Sequence, residues 1–216
     1  MDWKTEKDKL QAMTLRQKVG YLTTYYRWPA LFLTAALLLV LYLGDVVHQS
    51  TRTFVLQGFV ANDDEQLFDE KLVTTEFSAY LGLGKNEAVV FDDSLYVNLE
   101  SADHYIEASM AKIYAYMATK ELDLLIGPEF VVDHYLSALP MRDFTSLQDP
   151  NNRALFSALE PHLHTSLSFD GVEGLYKLDL QFTRFKGKTP LFMVIPKTSP
   201  HPAMVLAFLE FAQMKK

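Results

Sequence analysis

Between Arg27 and Asp45 the chain runs for 17 residues without a charge, WPALFLTAALLLVLYLG, and no other stretch restricts the fold as strongly. As a helix this run rises ~26 Å, at the short end of what crosses a hydrocarbon core of about 30 Å. Val46 and Val47 extend it, and Tyr25, Tyr26, Trp28 and Tyr42 place amphipathic rings near its two ends. Pro29 falls in the first turn, where its missing N–H costs nothing. A helix that is apolar all round has few places to hide in a small domain. A cleaved signal peptide would need an unusually long basic region, and GDVVHQS offers no small-x-small cleavage site. The expectation is a transmembrane helix over 28–47, in contact with the lipid bilayer.

Charge sets its direction. Residues 1–28 carry six basic and three acidic side chains, whereas the remaining residues carry 14 basic and 24 acidic ones, a net of −10. With the basic groups on the N-terminal side, residues 1–27 are expected in the cytoplasm and 48–216 outside the cell membrane. The tail contains Thr14 and Gln17 at capping-box spacing, followed by a modest apolar stripe; it reads as an interfacial helix or as a solvated topology signal. An acidic outer domain repels phosphate backbones, so nucleic acid is not an expected partner. With no cysteine among 216 residues, disulfides, thiolate metal sites and cysteine nucleophiles are excluded.

Beyond the apolar run, strand and helix patterns alternate. Residues 53–60, 88–91, 94–99, 122–126, 164–169, 175–185 and 191–195 read as strands. Helical periodicity covers 64–81, 102–120, 130–136 and 202–214, with a short helix at 153–159 inside a proline-bearing loop over 139–162. The implied fold class is α/β: a single three-layer domain with a mostly parallel sheet containing 53–60, 122–126 and 190–196.

Chemical motifs are sparse. Gly82-Leu83-Gly84-Lys85 lacks phosphate-loop spacing and reads as a helix stop. His162 and His164 share a strand face but make only two ligands, and the acidic clusters at 63–65 and 92–93 lack calcium-loop spacing. No nucleophile elbow, zincin motif or cofactor fingerprint is present. Tyr105, Tyr114, Tyr116 and Tyr135 read as core-edge aromatics or as the wall of a cleft.

Two segments, KIYAYMATKELDLLIGPEFVVDHY at 112–135 and PLFMVIPKTSPHPAMVLAFLEFAQ at 190–213, resemble stretches of the extracellular solute-binding proteins of ABC importers. The layout also resembles membrane-anchored proteins of Gram-positive bacteria. The resemblance implies one periplasmic-binding-protein-like lobe, since the chain is too short for the two lobes of a complete binding protein. It implies a site at strand carboxyl ends, with Gly127, Pro128 and Glu129 beside Lys197, Thr198 and Ser199, open to a small polar solute. The expected function is a membrane-tethered, non-catalytic binding or interaction domain, accessory to a transporter or another envelope protein. The alternative is an envelope hydrolase using scattered His and Asp residues.

Overall fold

A computed structural model describes Thr14, Gln17, Gly20 and residues 27–50, 53–101 and 103–214. The chain divides into two compact units, Met1–Arg52 and Thr53–Lys216.

In the first unit, helix α1 covers Arg27–Ser50. Its apolar side chains are open, from 50% exposure at Leu43 to 73% at Leu33. Side chains are described only from Trp28 to Gly44, without Ala30, and among the described residues no helix is long and apolar enough to cross a membrane. Thr14 donates its backbone N–H to Gln17 Oε1 at 3.0 Å, one of the two bonds of a capping box. The remaining tail, including Leu15, Val19 and Leu22, lies outside the described residues.

In the second unit, β1 (Thr53–Ala61), α2 (Glu70–Leu81), β2 (Glu87–Leu95), α3 (His104–Ala118), β3 (Leu124–Gly127) and α4 (Glu129–Ala138) follow one another. Then come α5 (Arg153–Leu159), β4 (Leu163–Leu167), β5 (Glu173–Asp179), β6 (Phe192–Val194) and α6 (Pro202–Gln213). The strands form one sheet in the order β2-β1-β3-β6-β5-β4. As expected, 53–60, 122–126 and 190–196 contribute neighbouring strands, and Leu124, Leu125 and Ile126 are wholly buried at its centre.

The expectation of a mostly parallel sheet is corrected. β1 runs parallel to β2 and β3, but β3–β6, β5–β6 and β4–β5 are antiparallel, so the sheet is mixed. The helical crossovers through α2 and α3 return the chain in the same direction, whereas the turn from Leu167 to Glu173 is too short for a crossover and reverses it.

Helices cover both faces. Val73 and Phe77 of α2, Leu155 and Phe156 of α5, and Val205 and Phe208 of α6 pack with Leu56, Val60, Leu124 and Ile126. On the other face Ile113 and Met117 of α3 and Val131, Val132 and Tyr135 of α4 pack with Phe59, Ala61 and Leu125. The alternation of Leu124, Leu125 and Ile126 between these cores is the two-residue strand period.

Local polar chemistry moves several boundaries. Asp63 accepts the N–H groups of Leu67 and Phe68, holding residues 64–69 as a loop, and α2 starts only where Asp69 caps the N–H of Leu72. Asp92 and Asp93 do not interrupt the sheet: β2 runs through both, and the Asp92 carboxylate meets the Lys112 ammonium of α3.

Candidate functional site

The turn at Gly127–Glu129 lies, as expected, between β3 and the start of α4. Gly127 packs closely: a Cβ there would come within 3.3 Å of the Ala61 carbonyl oxygen and of Val131. The Pro128 carbonyl accepts the N–H groups of Val131 and Val132, at 3.0 and 3.2 Å. Glu129 and Asp133, one turn apart on α4, each accept from the buried Lys177 ammonium of β5 at 2.8 Å. The Lys177 hydrogen bond is the main reason that the Glu129 carboxyl is held below its ordinary range. Burial pulls the lysine down, but the hydrogen bonds it donates to Asp133 and Glu129 outweigh it and hold the ammonium above its usual pKa. Beside this pair is an open depression of about 460 Å³ between Phe130 and Pro190.

Neighbouring loops at this end of the sheet are similarly closed. Glu65 accepts the N–H groups of Lys188 and Thr189, which depress its pKa. Asn62, at φ 56°, exchanges hydrogen bonds of 2.9 and 2.7 Å with the backbone of Val97. Asparagine tolerates that left-handed conformation better than most side chains.

Lys197, Thr198 and Ser199 are elsewhere. Because β6 is antiparallel to β3, Phe192 pairs with Gly127 and the chain then runs toward the start of β3. The expected single concave surface joining both triplets is therefore corrected: they occupy opposite ends of the sheet. Lys197 bonds to the chain through its backbone, its N–H to Pro140 and its carbonyl to Arg142 Nη2. The Thr198 hydroxyl donates to the Met117 carbonyl at 3.4 Å, and the Ser199 hydroxyl to Asp123 Oδ1 at 2.9 Å.

Asp123, directly before β3, is wholly buried. Four donors converge on its carboxylate: the Gln57 N–H, the Ser199 hydroxyl, the His201 N–H and His201 Nδ1, the last at 3.1 Å. With the oxygens accepting, Nδ1 carries the hydrogen toward Asp123, and Nε2 is the ring nitrogen left for another partner. His201 lies on the wall of a cavity of about 500 Å³, with Phe54, Tyr116 and Pro200 among its apolar lining and Gln57, Lys120 and Glu121 among its polar lining. That size and mixture suit a small ligand.

Asp123, His201, Gln57 and Lys120 belong to no motif that would mark them in the sequence. An acid embedded in LDLLI was the available signal, since a carboxylate in a buried run needs donors brought from elsewhere. Tyr116 does line the cavity, whereas Tyr135 is wholly buried and Tyr114 bonds to His134 Nε2 at 3.1 Å.

Ser199, Asp123 and His201 carry the side chains of a hydrolytic triad in a different arrangement. The serine hydroxyl donates to the aspartate rather than to the imidazole, so no nucleophile–base hydrogen bond exists. His162 stacks on Phe182 at 4.0 Å, and His164 meets the edge of Phe192 at 5.4 Å. Among the described residues no group of three or more metal-ligating side chains comes together. Comparison with protein-family models, curated proteins and solved structures returned no significant match.

Proposed function

We propose that this chain is a single-pass membrane protein whose outer α/β domain is a non-catalytic binding or interaction module, accessory to a transporter or another envelope protein. The observation carrying this reading is the exposure of Leu31 to Leu43 on α1, where every large apolar side chain is at least 50% exposed. A helix with such a surface needs lipid or another apolar partner around it. Its 24 residues would rise ~36 Å, of which the uncharged run from Trp28 to Gly44 supplies ~26 Å. The basic groups before Trp28 orient it with residues 1–27 in the cytoplasm and the domain outside. The solute-binding-like reading of that domain rests on the resemblance of 112–135 and 190–213, and a small polar solute remains its proposed ligand class.

Topology is tested by cysteine labelling, which a cysteine-free chain permits without background. In intact cells an impermeant maleimide should label Lys71→Cys, on the exposed face of α2, and leave Lys4→Cys unlabelled until the membrane is opened. The reverse pattern would reject the orientation, and recovery of both variants in the soluble fraction would reject the anchor.

The pairing of buried Asp123 with partly exposed His201 favours a second reading, an envelope hydrolase in which His201 acts as a base oriented by Asp123. Turnover of ester or peptide substrates, abolished by His201→Asn with the fold intact, would establish it.

A further inference from the structure

The same helix closure occurs twice in the outer domain with different residues at its strained position. At the end of α2, Gly82 takes φ 65°, its N–H bonding to Ala79 and that of Leu83 to Ser78. At the end of α3, Lys120 takes φ 61°, its N–H bonding to Met117 and that of Glu121 to Tyr116. This closure favours glycine because a Cβ is disfavoured at positive φ. A lysine held there projects from a backbone position that chain stability alone would give to glycine, and such strain gathers at functional sites.

Lys120 and Glu121 line the Asp123–His201 cavity, and among the described residues neither forms an ion pair. One ammonium and one carboxylate thus stand beside an imidazole fixed by a buried acid, against walls that include Phe54, Tyr116 and Pro200. We propose that this cavity binds a small zwitterion with an apolar body, such as a free apolar amino acid. Lys120 takes its carboxylate, Glu121 its ammonium and His201 Nε2 accepts a hydrogen bond from it, while the rings and Pro200 cover the body. The inference deepens the binding-module reading and rests on it. It places the ligand at the amino end of the parallel strands, away from the Gly127–Glu129 turn.

The test uses the full chain in lipid nanodiscs with labelled histidine, titrated with L-phenylalanine, phenethylamine and hydrocinnamate and followed by NMR and calorimetry. L-phenylalanine should move the His201 signal saturably, and the two analogues, each lacking one charge, should bind about tenfold or more weakly. Lys120→Gln and Glu121→Gln are substitutions on the exposed rim and should each cost about tenfold in affinity. Lys120→Gly should weaken binding while raising Tm, a combination that loss of folding does not produce. Absence of a saturable His201 shift, equal affinity for the three probes, or unchanged affinity in both rim variants would overturn the proposal. Cysteine labelling reports the anchor separately, so a correctly oriented domain with an empty cavity would remove this inference and leave the topology standing.

Discussion

At the carboxyl end of β1–β3, Asp63 and Glu65 accept backbone N–H groups and Glu129 shares Lys177 with Asp133. At the amino end Asp123 is equally well satisfied, but its partners include an imidazole on a cavity wall whose Nε2 has no hydrogen-bond partner among the described residues. The first arrangement closes loops and leaves little polar capacity for a ligand. The second fixes an imidazole at the wall of a cavity. At one end the exposed acids are taken up by the fold, and at the other a buried acid positions an imidazole beside the exposed Lys120 and Glu121.

The largest effect should come from Asp123→Ala, which strands the Gln57 and His201 N–H groups and the Ser199 hydroxyl. A loss of about 3–5 kcal/mol in urea unfolding is expected. A loss under about 1 kcal/mol would mean that water replaces the carboxylate and that the amino end is no more tightly built than the other. Next is Asn62→Ala at the carboxyl end, which removes both bonds to Val97 and leaves alanine at positive φ. About 2 kcal/mol should be lost in the same measurement.

Lys177→Met sharpens the contrast through pH. Glu129 and Asp133 are 57% and 49% exposed at their side chains, so water screens the pair and the loss near neutrality should be about 1 kcal/mol or less. Glu129 is depressed from 4.5, so its contribution is present above that value and disappears as pH falls through the folded pKa. Lys177 is raised from 10.5, so its contribution holds below that value and is lost as pH rises through the folded pKa. Wild type and variant should therefore differ most between these limits and converge at both extremes. A difference independent of pH would assign the effect to packing on Phe192, which lies 5.6 Å from the ammonium.

The smallest effect has the opposite sign. Lys120→Gly should stabilise the domain by about 0.5–1 kcal/mol in thermal unfolding by relieving positive φ. A destabilised variant would show that the lysine serves the fold, and that its position at the cavity needs no ligand to explain it.

Element identity was legible wherever the signal was local. The period of Ile106, Ile113 and Met117, the stop at Gly82 and the apolar run Leu122–Ile126 identified α3, the end of α2 and the central strand. Thr14 and Gln17 likewise announced a bond between neighbours in the chain. The start of α2 was less legible because Asp63 competes for backbone N–H groups inside an amphipathic pattern.

Strand direction and the meeting of distant polar groups belonged to another level. Side-chain alternation is the same whichever way a strand runs, so Phe192–Val194 identified a buried strand without revealing that it opposes β3. That one reversal separated Lys197–Ser199 from Gly127–Glu129 and carried Ser199 and His201 to Asp123, 76 and 78 residues away in sequence. The sequence by itself determined the apolar helix, the acidic α/β domain and most of its elements, because these follow from composition and short-range periodicity. Only the tertiary structure decided which end of the sheet holds the Asp123–His201 pair, because that depends on pairing between strands whose local patterns do not encode their direction.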